Sequence, residues 1–96
     1  MAANNEHAMT FNVMAITTTP QRIAQQGALV RAIRAIISTE TADIRYRYDG
    51  PAPSSGTGHF LAAGSTMKIE GLVNIANCQL VAVSSTATVF VTLEGE

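Results

Sequence analysis

The stretch from Thr86 to Leu93 alternates strictly: Ala87, Val89, Val91 and Leu93 fall on one side, and Thr88, Phe90 and Thr92 on the other. Successive side chains of a β-strand point to opposite faces, so a period of two with one apolar side marks a strand lying half-buried on a core. One such strand cannot bury its apolar side alone and needs a second layer over it. The rest of the chain is therefore read for the strands that would supply that layer.

Several short segments qualify. Phe11–Thr19 is rich in Phe, Val, Ile and Thr, with Phe11, Val13 and Ala15 on one face and Asn12, Met14 and Ile16 on the other. Pro20 ends it, because proline cannot donate to a central ladder. Ile44–Tyr48 sets Ile44, Tyr46 and Tyr48 against Arg45 and Arg47. Thr66–Glu70 places Met67 and Ile69 together, and Asn77–Val83 alternates Cys78, Leu80 and Ala82 with Gln79, Val81 and Val83. His59–Ala63 and Leu72–Ala76 are short apolar pieces. Turns are expected at Ser38–Asp43, Ala63–Ser65 and Ser84–Ser85, and a long Pro/Ser/Gly loop at Asp49–Gly58.

Residues 21–37 fit two patterns. Ile23, Val30, Ile33 and Ile37 make a helical stripe that Gly27 interrupts, and the alternation of Leu29, Arg31, Ile33, Ala35 and Ile37 fits a strand. The neighbouring strands favour strand, with a turn at Gln25–Gly27. Strands this short, with turns every eight to twelve residues, predict an all-β fold: a small antiparallel β-sandwich or jelly-roll-like barrel over residues 11–96. A parallel α/β layout would need helices between the strands. Residues 1–10 are small and polar and are expected to form an extended, flexible N-terminal arm.

Composition narrows the function. Charged residues make up only 14% of the 96 residues, well below the usual quarter, so part of the surface is expected to be covered in the working state. A net charge of −1 gives no basic excess to displace counterions, so nucleic acid is not an expected partner. No apolar run approaches a membrane span, and the N-terminus lacks the basic and apolar regions of a signal peptide. The single cysteine, Cys78, sits in an apolar run and is expected to be a buried small hydrophobe.

Motifs for chemistry are sparse. No His-x-His, Cys-x-x-Cys or His-x-x-x-His spacing occurs, so no metal and no cofactor is expected. Ser54, His59 and Asp49 lie within ten residues, but without the glycine pattern of a nucleophile elbow. Gly56-Thr57-Gly58 lacks the lysine of a phosphate loop and reads as a turn. The arginines are more informative. Five Arg stand against one Lys, and arginine is the cation favoured at protein interfaces. Arg31, Arg34, Arg45 and Arg47 are candidate interface residues, with local pairing to Glu40, Asp43 or Glu70 as the alternative. Phe11 and Phe90 are further interface candidates, Phe90 because it points away from the side that Val89 and Val91 bury.

The run Asp43-Ile44-Arg45-Tyr46-Arg47-Tyr48-Asp49-Gly50-Pro51-Ala52-Pro53, followed by Gly58-His59-Phe60-Leu61-Ala62-Ala63-Gly64 and the closing Ala87–Thr92 strand, resembles small virion proteins of tailed bacteriophages. The likeness spans about residues 15–94 and rests on short, turn-rich motifs. The Tyr-x-x-Asp-Gly element also looks like an immunoglobulin-like accessory module of some glycoside hydrolases, although no attached catalytic domain is expected. The phage resemblance implies a β-sandwich without enzymatic activity, located in the virion and assembled in the host cytoplasm. The expected role is a decoration (cement) protein that binds the major capsid protein, the expected partners being that protein and further copies of itself in a homotrimer. A neck or tail ring component, or a carbohydrate- or cell-surface-binding module, is the alternative expectation.

Overall fold

A computed structural model describes residues 7–23 and 32–95. Eight strands and one short helix follow in order: β1 (His7–Ile16), β2 (Gln21–Arg22), β3 (Ala32–Thr39), β4 (Ile44–Arg47), β5 (His59–Leu61), β6 (Thr66–Glu70), α1 (Leu72–Asn77), β7 (Gln79–Ala82) and β8 (Ala87–Gly95). The strands form two four-stranded sheets, β1-β8-β3-β6 and β2-β7-β4-β5, and every pairing is antiparallel.

The order has a simple logic. β1 pairs with β8, β2 with β7, β3 with β6 and β4 with β5. The chain is thus one long hairpin, bent at the loop between β4 and β5 and rolled up so that successive strands alternate between the sheets. β3–β8 and β4–β7 contacts close the roll. This is the strand order of an eight-stranded jelly roll, and the all-β expectation holds.

The core follows from the alternation. Ala87, Val89, Val91 and Leu93 of β8 are fully buried, together with Ala35 and Ile37 of β3, Ile44 of β4, and Leu80 and Ala82 of β7. Ile16, Ile23, Ile69, Ile75 and Cys78 complete the same cluster. Burial pushes the Cys78 thiol up to about 12, so it stays protonated and inert at neutral pH. The β3–β4 turn is tied by its own polar groups. The buried Thr39 Oγ1 donates to the Ala42 carbonyl at 2.7 Å, and the Thr88 amide donates to Thr41 Oγ1 at 2.9 Å.

Three local features differ from the sequence reading. β1 starts at His7 and ends at Ile16, so residues 7–10 of the expected arm are strand, recruited by backbone pairing to β8. Residues 1–6 lie outside the described residues. β3 runs on through Ser38 and Thr39 into the expected Ser38–Asp43 turn; within 21–37, Gln21–Arg22 and Ala32–Ile37 are strand, as the neighbouring strands favoured, and the turn expected at Gln25–Gly27 lies outside the described residues.

Leu72–Asn77, read from the sequence as a short apolar piece, is a helix that carries the chain from β6 in one sheet to β7 in the other. Gly71 permits its abrupt start, with φ at 95°. Ile75 is its buried anchor, and Arg22 donates to the Ala76 carbonyl at 2.7 Å, satisfying an acceptor in its last turn. No helix among the described residues is long and apolar enough to cross a membrane.

Ile37 is fully buried on β3, between β8 and β6. Ile37→Ala is expected to destabilise the fold by about 2–5 kcal/mol through lost burial and a residual cavity. Urea unfolding should show a lower midpoint with an unchanged slope.

Candidate functional site

Two surfaces concentrate the side chains that the core leaves over. The first is the outer face of the β1-β8-β3-β6 sheet. Strand register arranges it in rows. Phe11, Thr92, Ile36 and Lys68 form one row, and Val13, Phe90, Ser38 and Thr66 the next.

The half towards β6 is polar. Ser38 and Thr66 hydroxyls lie 3.0 Å apart, and Arg34 sits between Glu94 (2.9 Å) and Glu70 (3.3 Å). The half towards β1 is apolar. The Phe11 and Phe90 rings stack at 5.7 Å between centroids and 13° between planes, in the offset range that favours aromatic pairs. Phe11 remains 63% exposed and Val13 60%. Both aromatic interface candidates therefore meet on one patch. Val13 escaped notice because its significance comes from lying opposite Phe90, a pairing that only the register reveals.

The second surface is the end of the other sheet, around the β4–β5 loop. The Tyr46, Tyr48 and His59 rings form a cluster, with Tyr46–His59 centroids 5.2 Å apart and each ring 6.3 Å from a further neighbour. Burial and the neighbouring Tyr48 raise the Tyr46 phenol above its usual value. Tyr48 and His59, with Arg47, Asp49, Thr57 and Gly58, line a hollow of about 430 Å³.

Arg47 grips Asp49 with two bonds, Nε to Oδ1 at 2.9 Å and Nη2 to Oδ2 at 2.6 Å. The hydrogen bond from Arg47 holds the Asp49 carboxyl below its usual range. The three residues that sequence proximity placed together have separate engagements: Asp49 pairs with Arg47, His59 stacks on the tyrosines, and Ser54 Oγ accepts from the Gly56 amide. Among the described residues, no group of three or more His, Cys, Asp or Glu is placed to hold a metal ion.

Arg45 has a structural task in this region. Its Nε donates to the Ser55 carbonyl at 3.0 Å and its Nη1 to the Gly58 carbonyl at 2.9 Å, while its guanidinium lies 5.4 Å from the centre of the Phe60 ring. The loop is drawn against the outward side of β4. A side chain at Gly58 would meet the Tyr46 carbonyl oxygen at 3.1 Å and the Arg45 and Pro53 Cβ atoms at 3.3 Å. Val81, opposite Arg45 on β7, is only 1% exposed, although it lies on the side away from the core. Arg34, Arg45 and Arg47 thus all have partners within the chain; Arg31 lies outside the described residues.

Compared with known proteins, the chain matches no family model, no curated protein and no solved structure.

Two outcomes follow from the arginines. Arg45→Ala removes two charge-assisted bonds and should cost about 1–3 kcal/mol; limited proteolysis is expected to cut the freed loop between residues 51 and 57, where the parent chain resists. The Asp49 carboxyl is depressed in the folded chain, so the pair's contribution is present above the ordinary aspartate range and is lost as pH falls through the lowered value. A carbon-13 titration of that carboxyl should show a midpoint below ordinary aspartate, and Arg47→Ala should return it upward.

Proposed function

We propose that this chain is a non-catalytic structural subunit of a tailed-phage virion, which decorates and stabilises the head by docking on the major capsid protein. The observation that carries this reading is the stacked Phe11–Phe90 pair with Val13, an apolar patch left open on the outer face of a sheet. Exposed apolar clusters of this kind suit contact with another protein. The shortage of charge over the whole chain is consistent with a surface that is largely covered in use.

The phage assignment itself rests on the resemblance of the Asp43–Pro53 and Gly58–Gly64 segments, and the jelly-roll strand order is one that viral capsid domains use. A fold hosts many functions, so the docking patch carries more of the argument than the architecture does.

The hollow beside Tyr48 favours a second reading, a carbohydrate-binding module. Tyr48 is 38% exposed, and Arg47, Asp49 and Thr57 set polar groups around its ring.

The decisive measurement is occupancy on isolated capsids. Under the decoration reading the chain binds in hundreds of copies per head, and Phe90→Ser lowers occupancy at least tenfold while the circular dichroism of the free protein stays unchanged. Six or twelve copies per virion would replace it with a neck or tail ring. Failure to bind heads, with saturable binding to a glycan that Tyr48→Ala abolishes, would replace it with the carbohydrate reading.

A further inference from the structure

The two sheets have four edge strands, and they are not protected alike. β2 spans two residues and β5 three, too short to template another strand. β6 carries Lys68 and Glu70, both exposed, and charged residues on an edge discourage pairing with a foreign strand.

β1 has neither safeguard, and its one register irregularity lies between Ala8 and Thr10, N-terminal to the stretch that carries Phe11 and Val13. It runs for ten residues, and among the described residues it pairs with β8 alone. From Ala8 to Gln21 the sequence holds no Asp, Glu, Lys or Arg, and its first proline is Pro20, beyond the strand. Phe11 and Val13 stand exposed along it. A long, uncharged edge with outward apolar side chains is the kind that accepts another strand through its free backbone groups.

We propose that the occupant of this edge is β1 of a second copy, paired antiparallel about a twofold axis that runs between the two strands at the level of Phe11–Val13. The two β1-β8-β3-β6 sheets would then become one continuous sheet of eight strands.

Self-complementarity favours a copy of the chain. A twofold contact sets each residue against its own surroundings, so any charge on the edge would meet its like. β1 has none, and its own apolar row meets the partner's apolar row on the same face. An axis perpendicular to the sheet keeps that face common to both copies, joining the two Phe11–Phe90 patches into one. The pairing also closes. The outer edges of the joined sheet are β6 and its copy, whose charges discourage further growth. An edge pairs with one strand, so the unit built this way is a dimer, where the phage resemblance implied a trimer.

The dimer concerns the purified chain alone and does not rest on the capsid reading. Its disrupting position, Val13 on β1, differs from Phe90 on β8, which the capsid test uses, so the two can fail separately. Analytical ultracentrifugation of the full chain from about 1 to 100 µM, the span over which moderate protein contacts form, should show a reversible dimer.

Val13→Lys places a charge in the apolar row that meets the partner's at an exposed position, and should weaken the dimer at least tenfold with unchanged circular dichroism. Lys68→Ala on the opposite edge should leave the dimer intact. Single cysteines at Phe11, Asn12 and Val13 test the register, because the native Cys78 is buried. The position on the axis should form an interchain disulfide under mild oxidation, since directly opposed residues of an antiparallel pair lie within disulfide reach. A monomer throughout the concentration range, open-ended oligomers, a dimer indifferent to Val13→Lys, or no crosslink at any of the three positions would overturn the proposal.

Discussion

The two-sided hydrogen bonding of β8 is the constraint on which the rest of this fold depends. β8 lies between β1 and β3, and its inward row of Ala87, Val89, Val91 and Leu93 is the backbone of the core. The side-chain period of a strand is two, so a slip of one residue would turn that whole row to the outside and bring Thr88, Phe90 and Thr92 in. The register with β1 and β3 is therefore strongly fixed. Everything on the outer face inherits it: the position of Phe11 near Phe90, of Arg34 between two glutamates, and of the boundary between polar and apolar halves.

Much of this was legible because the strands are half-buried. β8, β4 and β6 could be read with the correct inward faces, since alternation is a local signal that survives into the structure. Thr86–Leu93 kept its pattern residue by residue, and Cys78 is buried as its neighbours suggested. Other features depend on where the chain goes. Leu72–Asn77 gave no helical stripe because one anchor, Ile75, is all that so short a crossing buries. β1 reaches back into a polar segment because β8 is long enough to pair with it.

The arginines show the same limit most clearly. On the sequence, Arg45 and Arg47 share a strand face and look like a pair aimed at a partner. In space they diverge, one holding the carbonyls of the β4–β5 loop and the other clasping Asp49. Arg34 found its partners on two different strands, only one of which, Glu70, was foreseeable. Charge on a face says that a cation is there; the loops and register decide whom it meets. The aromatic residues contrast with this. Phe11 and Phe90 were both singled out, yet that they stack follows only from antiparallel β1–β8 pairing.

The pairing of β1 with β8 also sets a schedule for the chain in the cell. β1 leaves the ribosome before the strand that covers one of its edges, which is made about seventy residues later. At roughly 5–20 residues per second, that is a delay of several seconds. Throughout it, a neutral, sticky strand is in the open with no native neighbour, while β3 to β6 can already meet one another. Completing the sheet is then a late, long-range event of the kind that slows folding. Nascent chains that crowd together on one messenger would offer their β1 strands to each other during this interval, a pairing that competes with closure of the roll.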